Sequence, residues 1–319
     1  MNIVLLERNS IGQDVDVSCY NALGSVTSYD NTRTPEEVAA RVVQADIVIA
    51  NKAPLTREAL SGAKNLKLIC ILATGYDNCD IAFCREAGIR VTNVTDYSTA
   101  MVAQHTITLA LALSQKIGYY DNYVKSGAYA AQTSFSHFEE AFHELDCKTW
   151  GVVGMGHIGG RVAGIAKALG CEVIHHSLTG RASALPYRQV DKETLLRESD
   201  ILSLHCPLTD LSRNFIDADA LKHMKSSAIL INVARGPVVN GEALYHALKE
   251  GEIAGAGLDV LEKEPMTKDD PLLKIQDSRR LIITPHLAWA SVEARERCVR
   301  GVYENIKAFL NGGERNVVV

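Results

Sequence analysis

The sequence predicts an α/β protein of two parallel-sheet domains, one inserted into the other. Three observations carry this expectation. Short apolar, β-rich runs alternate with helical patterns along the chain, the order that parallel sheets with crossover helices produce. Residues 149–177 read TWGVVGMGHIGGRVAGIAKALGCEVIHHS, a strand, a glycine turn, a helix and a second strand in the middle of the chain. After the last strand pattern only some thirty residues remain, too few for another domain, so they must pack on one already made.

In the first part, strands are expected at 2–6, 46–50, 67–72 and 89–94, each a short apolar run such as DIVIA or KLICIL. Helices are expected between them at 35–44, 56–62 and 80–87. The first opens Thr34-Pro35-Glu36-Glu37, with a capping hydroxyl, a proline where no N–H is needed, and acids that suit the helix dipole. A long apolar helix follows at 99–116, read as packing between domains or subunits, and then a loop at 126–145. From about 148 the strands are 152–153, 173–174, 200–204, 228–232, 255–260 and 281–284, and an amphipathic helix at 290–310 ends the pattern. The expected domains are 1–98 with 288–319, and 99–287, with a cleft between them for a cofactor's reactive end.

Composition excludes several classes. With 319 residues and 47% hydrophobic content there is room for two cores. Lys and Arg number 33 against 38 Asp and Glu, a net charge of −5 without a basic block, which argues against nucleic acid as partner. No apolar run has the length of a membrane span, and MNIVLLERNS reads as a first strand, not a leader. The eight cysteines are scattered without a CxxC pair, so reduced packing residues are expected, with neither disulfides nor a metal site, in a cytoplasmic protein.

The glycines of the central unit each have a mechanical use. Gly154 permits a tight strand-to-helix turn, Gly156 lets a pyrophosphate approach the backbone, and Gly159 lets the helix pack close to the strand. The helix N-terminus then offers N–H groups and positive potential to phosphates, so the unit reads as a dinucleotide site. Three further clusters fall just past expected strand ends, where open α/β sheets bind ligands: Val233-Ala234-Arg235-Gly236, the acidic turn from Asp259 to Glu264, and Thr284-Pro285-His286. An arginine can hold a carboxylate and polarise a ketone, a histidine can donate a proton, and a carboxylate can orient the ring and favour its charged form. Taken singly, Arg235 also reads as a surface ion pair, Glu264 as a solvated turn residue and His286 as a cap.

Over nearly its whole length the chain resembles the NAD(P)-dependent D-2-hydroxyacid dehydrogenases. The resemblance is carried by LATGYDNCD (72–80), YSTAMVAQH (97–105), GMGHIG (154–159), LHCPLT (204–209), NVARGPVVN (232–240), GLDVLEKEP (257–265) and TPHLAWAS (284–291). It implies a Rossmann-type dinucleotide domain inserted in a flavodoxin-like substrate domain. The apolar helix and the loop at 126–145 suggest a homodimer associating through 99–145. The resemblance also implies Arg235, Glu264 and His286 as the catalytic trio, and Asp259 as ligand of the nicotinamide carboxamide. It further implies His157, Ile158, Cys206, Pro207, Ser212, Val233 and Ala234 around the cofactor, and the backbone N–H groups of Thr74 and Gly75, with Arg235 and His286, around the substrate. Asn51-Lys52, YST-x-x-VAQH and PH-x-AWAS look most like the glycerate dehydrogenase/hydroxypyruvate reductase branch. That branch implies reduction of hydroxypyruvate, and of glyoxylate, to D-glycerate and glycolate. The same chemistry on D-lactate or a sugar-derived acid such as 2-ketogluconate, and a non-catalytic dinucleotide-sensing corepressor, remain the alternatives.

One departure bears on the cofactor. NAD-specific members end the second strand with an acid that grips the ribose, whereas here it ends His175-His176-Ser177. Ser177 and Thr179 offer hydroxyls and Arg181 a charged fork, so NADP(H) is the expectation and NAD(H) the alternative. Trp289 could line the cofactor site or merely pack. Lys52 reads as a solvated lysine within range of a substrate hydroxyl, and His105 as a buried, hydrogen-bonded residue.

Overall fold

In the computed structural model, which describes residues 1–319, the apolar runs form two parallel sheets. Each belongs to one of two units, Met1–Ser98 with Trp289–Val319, and Thr99–Ala288.

The first unit contains β1 (Asn2–Leu5), β2 (Ser25–Ser28), α1 (Pro35–Val42), β3 (Ile47–Ala50), α2 (Arg57–Leu60), β4 (Leu68–Ile71), α3 (Ile81–Glu86) and β5 (Arg90–Thr92). Its strand order, β2-β1-β3-β4-β5, is that of flavodoxin-like folds. Every residue of β3 (IVIA) and β4 (LICI) is buried, because helices cover both faces of a parallel sheet. The edge strand β2 (SVTS) has no buried residue, so no apolar run announces it. Thr34, Thr56 and Asp80 cap the three helices by accepting from backbone N–H groups of the first turn.

The second unit begins with α4 (Thr99–Ser114), α5 (Ile117–Lys125) and α6 (Ala128–Ala131). Neither of the last two was expected, and α6 falls within the segment read as a loop at 126–145. Then come β6 (Thr149–Val153), α7 (His157–Ala168), β7 (Glu172–His176), β8 (Arg188–Gln189), α8 (Lys192–Glu198), β9 (Ile201–Leu204), α9 (Ala218–His223), β10 (Ile229–Asn232), α10 (Gly241–Glu250), β11 (Gly255–Leu258) and β12 (Leu281–Ile283). The order β12-β11-β10-β9-β6-β7-β8 runs outward from β6 in both directions, so β6 and β9 flank the topological switch point where Rossmann-type sheets bind ligands. Trp150 of β6 is fully buried, and its Nε1 donates to Ser203 Oγ at 2.9 Å. The apolar face of α4, including Ala103, Leu109 and Leu113, packs on α7, β10 and β11 of its own unit.

The last helix, α11 (Val292–Leu310), returns to the first unit and packs on β4, burying Cys298, Val299, Val302 and Ile306. The tail beyond it bridges β5, Thr92 opposite Val317 in antiparallel sense. No helix is long and apolar enough to cross a membrane. Six of the eight cysteines are buried, Cys70 deeply enough that burial pushes its thiol up to about 12.

Candidate active site

At the end of β6 the chain turns through Gly154, whose φ of +89° a side chain would strain. A Cβ there would also meet the His205 carbonyl oxygen at 2.9 Å, and one on Gly159 would lie 2.1 Å from the Gly154 oxygen. Gly156 differs: a Cβ added there meets nothing within 4 Å, and no side chain caps the helix that starts at His157. An open approach to a helix N-terminus, with Ile158 in its first turn, is the space that a pyrophosphate needs. The residues therefore fit a dinucleotide.

Beside this cradle β7 ends in a turn closed by Gly180 N–H donating to the Ser177 oxygen at 3.1 Å. Thr179 and Arg181 are exposed and Ser177 half-buried, and no acid stands among them. His176 precedes the turn. Its Nδ1 lies 3.0 Å from the Val190 oxygen, and its ring stacks on Phe215. Past β9, Cys206 is buried, which pushes its thiol up to about 11, and Ser212 is fully enclosed. The Ser212 hydroxyl donates to the Pro207 oxygen and accepts from Thr209 N–H, both at 2.7 Å, so it locks the loop on itself.

The second group of residues lies past β10, β11 and β12. Asn232, buried at the end of β10, ties the following turn: its amide donates to the Arg235 oxygen and accepts from Ala234 N–H, each at 3.0 Å. Val233 and Arg235 flank the buried Ala234, both half-exposed. At Gly236 the turn meets the backbone past β11 so closely that a Cβ would lie 1.8 Å from the Leu261 oxygen. Only glycine permits that contact, which sets the Arg235 turn against the turn bearing Glu264. Glu264 holds its own turn through Oε1, which accepts from Leu261 N–H at 2.9 Å.

Glu264 Oε2 lies 2.6 Å from Nδ1 of His286. A carboxylate can only accept, so Nδ1 carries the proton in this contact. Both side chains reach solvent, at 27% and 36% exposure, so a ligand can reach the pair. His286 has φ +54°, a conformation disfavoured outside glycine, and the surroundings hold it there. Its N–H donates to the Asp259 oxygen, and the buried Asp259 carboxylate accepts from the N–H groups of Leu287 and Ala288, both at 2.9 Å.

A strand-end arginine and a solvent-reaching His–Glu pair thus stand in the same Rossmann-type unit as the glycine cradle. The family of the D-isomer specific 2-hydroxyacid dehydrogenase NAD binding domain matches residues 107–288. The chain belongs to this family. It is 39% identical over 316 residues to a glycerate dehydrogenase of Methylorubrum extorquens, covering 99% of this chain and 98% of the relative. It is 36% identical over 324 residues to a hydroxypyruvate reductase of Blautia hydrogenotrophica, covering 100% and 99%. Among solved structures, an acyclic imino acid reductase in complex with NADPH and D-Arg superposes with a TM-score of 0.88 at 31% identity, with all of both chains covered. As a D-2-hydroxyacid dehydrogenase, the protein is an oxidoreductase that uses a nicotinamide cofactor.

In the first unit of this dehydrogenase, Thr74 and Gly75 lie on the loop after β4. The Thr74 hydroxyl donates to the Val94 oxygen at 2.9 Å, and its own carbonyl accepts from the Asn93 amide at 2.7 Å. The loop after β3 is organised by Glu7, whose buried Oε2 accepts from the N–H groups of Asn51, Lys52 and Ala53 at 2.7–2.9 Å. Trp289 packs edge-on against Tyr97, ring centroids 6.2 Å apart. Asn232 and Glu7 were not singled out in the sequence, and Gly236 was named there only as the end of the arginine cluster. Asn232 and Gly236 lie within the matched run NVARGPVVN, but their tasks are contacts with neighbours that only folding supplies.

Proposed function

We propose that the protein reduces hydroxypyruvate, and the smaller glyoxylate, to D-glycerate and glycolate, and catalyses the reverse oxidation. The 2.6 Å contact of His286 with Glu264 carries this reading, because it orients a solvent-reaching imidazole by its Nδ1 side, and the proposal gives the proton transfer to Nε2 of the imidazolium. The relatives named glycerate dehydrogenase and hydroxypyruvate reductase supply the substrate class. Arg235 grips the carboxylate and polarises the keto oxygen, and a planar fork suits that two-point task. A bound nicotinamide supplies the hydride to the keto carbon. His286 gives its Nε2 proton to the oxygen as charge develops there, while Glu264 keeps the ring aimed. Asp259 Oδ2, which accepts from Ala288 N–H, is assigned to the nicotinamide carboxamide. The Thr74–Gly75 backbone of the first unit, the substrate domain in this proposal, is assigned to the substrate carboxylate.

For the cofactor we propose NADP(H). The turn Ser177–Gly180 offers hydroxyls and the neighbouring exposed Arg181, with no carboxylate to repel a 2′-phosphate, and a solved relative was obtained with NADPH. One charge-assisted bond from Arg181 is worth about 1.5–3 kcal/mol, a preference of roughly ten- to a hundredfold. The proposal also includes a cytoplasmic homodimer associating through 99–145, supported by Phe135 and Phe138 being 91% and 86% exposed there. The test is a panel of hydroxypyruvate, glyoxylate, pyruvate and 2-ketogluconate, each with NADPH and NADH. Hydroxypyruvate with NADPH should give the highest kcat/KM. A higher value for another acid replaces the substrate, a tenfold preference for NADH removes the role of Arg181, and no turnover at all favours a binding protein. A monomer by light scattering at micromolar concentration would remove the dimer.

A further inference from the structure

We propose that His105, on α4, is a positioning residue for the proton-donating histidine, acting through Thr284 and Asp259. The role rests on the proposed function, because it serves the loop that presents His286.

Three contacts carry it. His105 Nε2 lies 3.0 Å from Thr284 Oγ1, Thr284 Oγ1 donates to Asp259 Oδ1 at 2.6 Å, and Nε2 is 3.6 Å from that same oxygen. The direction of the chain follows from proton counting. The Asp259 carboxylate accepts only, and the Thr284 hydroxyl has a single proton, which goes to Asp259. Toward His105 the hydroxyl can therefore only accept, and His105 must carry its proton on Nε2. The imidazole is buried, and desolvation lowers its pKa more than the Asp259 charge raises it, so the ring is neutral with Nδ1 bare.

A histidine has a use here because of what Asp259 must do. Its side chain is 1% exposed and faces no lysine or arginine at ion-pair distance, so its charge is balanced by donors alone. Two of those donors are the N–H groups of Leu287 and Ala288, immediately after His286. A third is Thr284, two residues before it. His105 fixes which way the Thr284 hydroxyl points, and polarises it toward the carboxylate. The carboxylate then clamps both sides of a residue whose backbone, at φ +54°, would otherwise relax. Since α4 is packed along its length on α7, β10 and β11, it anchors the loop to the sheet.

The experiment uses the full chain with hydroxypyruvate and NADPH. His105→Leu should lower kcat about tenfold while the KM for NADPH stays within about twofold, the split expected when a donor is misaimed rather than a site unfolded. His105→Gln keeps an N–H near the Nε2 position and should recover most of the loss. Thr284→Val should match His105→Leu, and the double variant should lose no more than either, because both break one chain. Nitrogen NMR on labelled protein should show His105 as the Nε2–H tautomer, a readout that needs no turnover. An Nδ1–H tautomer, an unchanged kcat in His105→Leu, a loss that glutamine does not restore, or losses that multiply in the double variant would each overturn the proposal. Wild type with the Nε2–H tautomer but no turnover of any 2-keto acid would overturn the proposed function, and this role with it, while leaving the hydrogen-bond chain intact.

Discussion

Replacing Gly236 by alanine tests the contact that joins the arginine turn to the glutamate turn. The added Cβ would lie 1.8 Å from the Leu261 carbonyl oxygen and 1.9 Å from its carbon, whereas real Cβ contacts essentially never fall under 3.0 Å. Both partners are backbone, so no rotamer change relieves the clash. The segments must separate by about 1.2 Å, and overpacking on this scale costs about 1–3 kcal/mol. In a unit of this size that lowers Tm by roughly 2–10 °C. The larger effect falls on chemistry. Drawing the Leu261–Glu264 turn away by that distance stretches the 2.6 Å His286–Glu264 contact toward 3.8 Å, beyond a hydrogen bond. A misplacement of about 1 Å at reacting groups costs on the order of a hundredfold in rate. Steady-state kcat with hydroxypyruvate and NADPH should therefore drop about a hundredfold, with a modest fall in Tm by thermal unfolding. Gly62→Ala is the control, since a Cβ there meets nothing within 4 Å, and it should match wild type in both measurements. A Gly236→Ala protein with kcat within threefold of wild type and an unchanged Tm would show that the two turns are not coupled as described.

Gly156→Ala should leave Tm unchanged, because its φ is −80° and the added Cβ enters open space, yet weaken cofactor binding at least about tenfold by fluorescence titration. Unchanged affinity would mean that the pyrophosphate does not approach there. His286→Gln should lower kcat by about 10²–10⁴ and leave the cofactor Kd within about twofold, and near-normal turnover would remove His286 as proton donor. Stability should fall as pH drops below about 6.5. Desolvation lowers the His205 pKa from 6.5 to about 3, so between those values the unfolded chain binds a proton that the folded chain does not. The loss from this residue reaches about 2 kcal/mol at pH 5. Urea unfolding at pH 7 and pH 5 should show a smaller difference for His205→Gln than for wild type; equal differences would clear His205. His105 and His175 shift in the same direction and contribute to the slope of both proteins.

The two architectures were legible where burial on both faces leaves a mark. IVIA, LICI, ILSL and ILIN are buried at every position and stand out as unbroken apolar runs. Where burial is missing the pattern fails. The edge strands SVTS and RQ have no buried residue and were not foreseen. The helices α8 and α9 are too short for an apolar period to show, and α10 went unnoticed although Asn240 caps its start and Gly251 ends it at φ +77°.

At the site, the sequence by itself determined the glycine cradle, because the turn, the approach and the packing it requires all act within one short strand–turn–helix segment. It also supplied the arginine, glutamate and histidine as candidates at strand ends, and their roles through resemblance. What only the tertiary structure decided are relations across the sheet. Gly236 lies against Leu261, 25 residues on, and Asp259 clamps the loop around His286. His105 reaches Thr284 from 179 residues away. The physical reason is one of range. Turn geometry and apolar period act between near neighbours, whereas the choice of partner for a buried carboxylate, or for a backbone at contact distance, depends on which strand ends the sheet order places side by side.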